Sequence, residues 1–221
     1  MKHVVIDLEM NRIPRKSPAR AICSSEIIEI GAVMLDDNLQ EISSLRTYVK
    51  PEYSDDIAGD IQKLTGISYD MVAGAPGFNE ALRMFTSWCH STGDDVTIYA
   101  WSGTDYSQVR KEMELKAYEM SSDEQDLLLV EWQDFQHEFD SNLGFERAIS
   151  LSMAIDMAGI EFEGRAHDAL DDARNTAELL QVFKDKKRFD MTLQKIKEVM
   201  QPTSIGNSIG DLFDLSGLVL G

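Results

Sequence analysis

Cysteine is nearly absent. Cys23 and Cys89 are the two in 221 residues, too few and too far apart for a disulfide framework or a thiolate metal motif. A reducing compartment is the default that follows, and the expected location is cytoplasmic. Proline is scarce as well, with five residues at positions 14, 18, 51, 76 and 202. No apolar run is long enough to span a bilayer. Met1-Lys2-His3-Val4 enters a strand at once, which is read as leaving no room for a signal peptide. Basic charge is also short. Lys and Arg total 21 against 39 Asp and Glu, a net charge of −18. The averaged field therefore repels polyanions, which excludes long-range gathering of nucleic acid but not a local basic groove or a metal-centred site. The plainer reading is that net acidity keeps the protein soluble.

What is present supports one domain with a real core. The hydrophobic fraction is 43%, so global disorder is excluded. The expectation is a folded domain over 1–201 and a tail over 202–221, set off by Pro202, that docks on its own domain, binds a partner or stays mobile. There is no internal repeat and no low-complexity tract.

The stretch with most chemical content is Val4-Val5-Ile6-Asp7-Leu8-Glu9. In a strand, Asp7 and Glu9 share one face and Leu8 takes the other. Two same-side carboxylates ending a buried strand are costly unless a positive charge lies between them. A divalent cation with oxygen ligands is the simplest candidate.

Ile27 to Leu35 and Glu41 to Val49 read as two more strands around the turn Asp36-Asp37-Asn38, a simple three-strand meander. Ile61 to Ile67 reads as a helical turn closed by Gly66, and Phe78 to Cys89 as a helix with Leu82, Phe85 and Trp88 on one face. Val96 to Trp101 is a fourth strand, followed by a helix from about Tyr106 to Lys116. Trp132 to Phe135 is a short strand or turn. Helices are expected over Ser150 to Ala158, His167 to Lys187 and Asp190 to Met200, the middle one with Ala169, Ala173, Thr176, Leu180 and Phe183 inward.

Residues 11–25 carry Arg12, Arg15, Lys16 and Arg20 and no acid, and Pro14 and Pro18 argue against a regular element there. In so acidic a chain, this is read as a substrate-facing loop, since phosphate contacts need Arg or Lys. A solvated turn with incidental charge is the plain alternative.

Two further acids stand where a site would want them. Asp105 follows the fourth strand, and Asp172 lies five residues after His167. Four acids from three separate segments and one histidine suit a two-metal hydrolase, with two cations about 4 Å apart clamping a phosphodiester displacement. Histidine titrates nearest neutrality and suits proton removal from water. Taken singly, Asp105 is a cap, His167 a surface or capping residue, and Asp171 and Asp172 complements to a helix dipole. Only the joint pattern favours chemistry.

Asp7-Leu8-Glu9, Asp105 after Trp101-Ser102, and His167 with Asp172 resemble, in order and spacing, the three motifs of the DEDDh 3′→5′ exonucleases. Glu26 to Val33 and Leu64-Thr65-Gly66-Ile67 are similar to that family's second strand and post-strand helix, so the likeness runs over about 3–184. The resemblance implies an α/β, ribonuclease H-like fold: a mixed five-stranded sheet flanked by helices. It implies hydrolysis from a free 3′ end, releasing nucleoside 5′-monophosphates. It further implies Asp7, Glu9, Asp105 and Asp172 as ligands to two Mg²⁺ or Mn²⁺ ions and His167 as general base. Met10, Leu64 and Thr65 would hold the terminal nucleotide.

Many members follow the first acid pair with threonines and a glycine, where this chain has Met10-Asn11 and then the basic segment. That departure and the low net charge incline the expectation toward a short or structured single-stranded RNA end over DNA. Two other readings stay open: a catalytically idle nucleic-acid-binding module of the same fold, and a phosphoesterase acting on small nucleotides. Neither the oligomeric state nor a partner for the tail follows from the sequence.

Overall fold

The computed structural model describes residues 1–200, with side chains through residue 194. β1 (Lys2–Arg12) and β2 (Ser25–Leu35) are rich in Val and Ile, whose branched side chains suit a pleated, buried surface. They pair antiparallel, and β3 (Glu41–Tyr48) returns antiparallel along β2. β4 (Val96–Ala100) runs parallel to β1, and the two-residue β5 (Gln133–Asp134) runs parallel to β4. The order β3-β2-β1-β4-β5 is the expected mixed five-stranded sheet, and helices flank it.

The helices are α1 (Gly59–Thr65), α2 (Tyr69–Val72), α3 (Phe78–Cys89), α4 (Gly103–Leu115), α5 (Gln125–Leu128), α6 (Phe135–Leu143), α7 (Leu151–Ala158), α8 (Ala169–Lys184) and α9 (Lys186–Met200). None of the described helices is long and apolar enough to cross a membrane.

Alternation along β1 divides the molecule into two layers. Val4, Ile6 and Leu8 face a core built with Phe78, Leu82 and Phe85 of α3 and Val109 of α4. Val5 faces the opposite core, with Phe135 and Phe139 of α6, Ile155 of α7 and Leu180 of α8. Asp7 and Glu9 continue the Val5 side, so the period of two aims both carboxylates at the α8 layer.

β1 and β2 slip register once. Glu9 opposes Glu29, but Met10 opposes Ile27, so Ile28 is bulged out. Ile28 then joins Ile57, Ile67 and Val72 in a small separate core beneath α1 and α2.

A buried charge cluster fixes α4 to the sheet. Lys116 Nζ lies 3.1 Å from Glu26 and 2.7 Å from Glu112, all three side chains at most 3% exposed. Glu112 also accepts from Ile27 N at 2.9 Å, and Glu26 accepts from Glu52 N and Tyr53 N at 2.6 and 2.9 Å. Each buried charge thus has its partners, as burial requires.

Several boundaries differ from expectation, for local reasons. The 11–25 stretch is not irregular throughout. The hairpin ladder persists to Arg12 opposite Ser25, and Pro18–Ala21 makes one 3-10 turn with proline at its start, where a missing N–H does no harm. α4 begins at Gly103, earlier than Tyr106, because Ser102 caps it by accepting from Thr104 N at 3.3 Å. α8 begins at Ala169, later than His167, because Asp168 caps it by accepting from Asp171 N at 3.2 Å. It ends at Lys184, and α9 starts at Lys186 instead of Asp190. The expected tail over 202–221 lies outside the described residues.

Candidate active site

The acids converge where β1 and β4 run out side by side. Ile6 pairs with Ala100, so the residues after Ala100 reach the level of Asp7 and Glu9. Asp105 sits in the first turn of α4, 6% exposed. It is not the cap of that helix, since Ser102 is. Asp134 of β5 accepts from Gly103 N at 3.0 Å and so anchors the turn that presents Asp105.

The fourth acid comes from α8, which crosses the sheet on the Asp7 face. It can do so because β2 has Gly31, the register partner of Asp7, beneath it. A Cβ at Gly31 would run into the backbone of Ala169 and Leu170. The missing side chain lets Asp172 approach the β1 acids.

Electrostatics record the convergence. Burial pushes the Asp7 carboxyl well above the usual carboxylate range, and Asp105, Asp172, Glu9 and Glu29 push it further. Burial, then Asp172 and Glu29, raises Glu9 to about 8. Burial raises Asp105 to about 7, and raises Asp172 to about 6 although the His167 backbone bond lowers it. Among the described residues, no Lys or Arg pairs with any of the four. Carboxylates drawn together with no Lys or Arg paired to them among the described residues make a candidate site for a divalent cation.

The donors fit such an ion. Ligand atoms of Glu9, His167 and Asp172 all lie within 4.8 Å of one another. The Glu9 and Asp172 carboxylates suit an oxygen-seeking ion such as Mg²⁺ or Mn²⁺, and the His167 imidazole stands beside them. His167 is exposed at the rim of the cluster, at φ +64°. Its backbone N–H donates to Asp172 Oδ2 at 2.9 Å, which hangs the histidine loop on the acid.

Four residues at the edge of this cluster were not singled out by sequence reasoning. Glu29 opposes Glu9 across the hairpin, 1% exposed, and accepts from Arg46 Nε at 2.7 Å and from Ala169 N at 3.2 Å. Arg46 of β3 also pairs with Asp168, the α8 cap. These contacts pin the start of α8 to the sheet. A lone charge in Ile27-Ile28-Glu29-Ile30 was the available signal for Glu29. The fourth, Arg165, is bonded to the Leu64 carbonyl.

The expected substrate residues spread over a wider surface. Leu64 is 46% exposed at the end of α1, Thr65 is buried beside it and Met10 is half-buried against the core. Thr65 Oγ1 donates to Ile61 O at 2.9 Å and accepts from Ile67 N at 3.1 Å, so the hydroxyl shapes the turn. Arg12, Arg15 and Arg20 line a cleft of about 720 Å³ with residues 54–59, and Lys16 stands exposed beside it. Two of these cations are already engaged: Arg12 pairs with Asp60, and Arg20 donates to Ile13 O at 2.8 Å.

Residues 4–180 match the family model described as RNase_T, Exonuclease. The chain is 30% identical over 208 residues to ERI1 exoribonuclease 2 of Mus musculus, covering 85% of this chain and 30% of that protein. It therefore spans less than a third of that relative's length. The nuclease domain of 3'hExo, a DEDDh family member bound to rAMP, is similar with a TM-score of 0.71 at 21% identity, covering 83% of this chain and 91% of that one. The Mg²⁺- and Mn²⁺-bound form of S. pombe Pop2p is similar with a TM-score of 0.62 at 20% identity, covering 83% of each. At such identities the structural likeness is one of fold. The family match stands on the sequence itself and spans the β1 acids, Asp105, His167 and Asp172: this chain belongs to the exonuclease family.

Proposed function

We propose that the chain is a metal-dependent 3′→5′ exonuclease. It hydrolyses the last phosphodiester of a single-stranded end, RNA ahead of DNA, and releases nucleoside 5′-monophosphates. The observation that carries this reading is the convergence of Asp7, Glu9, Asp105 and Asp172 at one end of the sheet, in a chain whose residues 4–180 match the exonuclease family. The likeness to an exoribonuclease supports RNA.

Asp7, Glu9, Asp105 and Asp172 would hold two Mg²⁺ or Mn²⁺ ions. When bound, such a pair acidifies a water and neutralises charge on the leaving oxygen. His167, held at the rim by its backbone bond to Asp172, takes the proton from the attacking water. Its exposure leaves the imidazole free to reach a water over the acids. Leu64 and Met10 offer apolar surface to the terminal base, and the Thr65 turn shapes the pocket floor. Arg15 and Lys16, with Arg12 and Arg20 behind them, face the phosphates further along the strand.

The test is product analysis on 5′-labelled RNA and DNA oligonucleotides with Mn²⁺ or with EDTA. Stepwise shortening from the 3′ end, with monophosphate release that EDTA stops, supports the reading. Tight RNA binding without turnover returns an idle binding module. Turnover of small nucleotide esters alone returns a phosphoesterase.

A further inference from the structure

The loop from α7 to α8 folds back onto the first turn of α8 and also reaches across to α1. Arg165 makes both contacts. Its backbone N–H donates to Asp171 Oδ2 at 2.8 Å, and its Nη2 donates to the carbonyl of Leu64 at 2.9 Å, 101 residues away in sequence. The last carbonyls of a helix lack intrahelical partners and carry partial negative charge, so a guanidinium is a well-matched donor there. The guanidinium also lies against Gly66, where φ is +70° and a Cβ would strike it. That turn has room for an arginine because residue 66 has no side chain.

Only Ala166 separates Arg165 from His167. The histidine is therefore held from two sides: by its own N–H on Asp172, and by Arg165 on the Leu64–Gly66 turn. One anchor belongs to the acid cluster. The other belongs to the segment that, in the proposed function, seats the terminal nucleotide.

We propose that Arg165 is a positioning residue that ties the His167 loop to the Leu64–Gly66 turn, so that seating a nucleotide on that turn and placing the base over the acids are one event. This rests on His167 being the base. Arg165 touches no reacting atom; it acts through the backbone it holds.

The experiment is a double-mutant cycle in the full chain, on a labelled oligoribonucleotide with Mn²⁺. R165A is expected to lower kcat by about 10- to 100-fold, the scale of a small misplacement of a catalytic group, and to leave KM unchanged. R165K, which keeps a donor for the Leu64 carbonyl, is expected to recover part of that loss. In an H167A background, removing Arg165 is expected to change nothing further, because the group it positions is gone. Mn²⁺ affinity, read by electron paramagnetic resonance, is expected to be the same in R165A and the parent. Should R165A unfold early, R165K carries the same comparison. A rise in KM with kcat intact overturns the proposal by making Arg165 a direct substrate contact. Multiplicative losses in the double variant overturn it too, since the two residues then act independently, while an impaired H167A leaves the base assignment standing. A fully active H167A removes the base assignment and the proposal together.

Discussion

His167 is bonded to Asp172 through its own backbone: the histidine N–H donates to Asp172 Oδ2 at 2.9 Å, with the histidine at φ +64°. A non-glycine residue there is strained by about 1–2 kcal/mol. The strain is local to the residue proposed to move a proton. H167G is thus expected to be more stable than H167A by about 1 kcal/mol, while both lose about 10²–10⁴-fold in rate. Urea unfolding and single-turnover kinetics check this, and equal unfolding midpoints would show that the loop relaxes freely.

The acid cluster sets a pH window for stability. A carboxyl whose folded pKa lies above its unfolded value keeps its proton longer when folded. Its effect therefore favours folding at low pH and opposes it as pH rises through the folded value. Glu9 is raised to about 8, Asp105 to about 7 and Asp172 to about 6, each first by burial. From these groups, metal-free protein loses stability as pH climbs from about 4, the ordinary carboxylate value, to about 8. Bound Mn²⁺ favours the charged forms and cancels the loss. The gap between unfolding midpoints in Mn²⁺ and in EDTA is expected to widen from about pH 5 to about pH 8. A gap that stays constant with pH would mean the ion does not bind these carboxylates.

A methyl group at Gly31 would meet backbone, which cannot swing aside as a side chain can. G31A drives a carbon into the backbone of Ala169 and Leu170 and must lift the start of α8. A loss of about 1–3 kcal/mol is expected, with turnover falling further than stability alone explains, because Asp172 and His167 move with the helix. G74A, with open space around it, serves as the control. Circular dichroism melts and rate measurements on both variants decide; a G31A protein that matches G74A would show that α8 does not need the close approach.

The basic segment divides into engaged and free cations. Arg12 pairs with Asp60 and Arg20 bonds Ile13 O, whereas Arg15 and Lys16 have no such partner among the described residues. R15Q/K16Q is expected to flatten the dependence of log Kd on log salt, by about 0.7 for each phosphate of a single strand that the variant no longer neutralises. R12Q and R20Q are expected to act chiefly on stability. Fluorescence anisotropy across a salt series reads the slope, and an unchanged slope in R15Q/K16Q returns the segment to an ordinary solvated turn.

The core of the candidate site was legible because its residues are chemically unusual where they stand. Carboxylates at the end of an apolar strand, and a histidine five residues before an acid, are visible without a fold. Arg46 was not legible. It meets Glu29 only because β3 returns beside β2 in one particular register, with Arg46 opposite Gly31. Arg165 was hidden for a similar reason, since its partner lies 101 residues upstream. The helix starts at Gly103 and Ala169 depended on which of several neighbouring polar residues became the cap. That choice is made by tertiary contacts: Asp134 holds Gly103, and Glu29 holds Ala169. The division of labour among Arg12, Arg15, Lys16 and Arg20 required knowing that Asp60 and the Ile13 carbonyl lie beside two of them.

The bulge at Ile28 has a use for anyone who wishes to redesign this protein. On one side of that seam the hairpin carries the carboxylates; on the other it carries Asn11, Arg12 and the loop that follows. Because the ladder is already interrupted between the two, the distal arm can be exchanged for one of different length or charge while the proximal arm keeps its alignment. Grafting at that joint offers a way to alter the basic segment without rebuilding the acidic cluster.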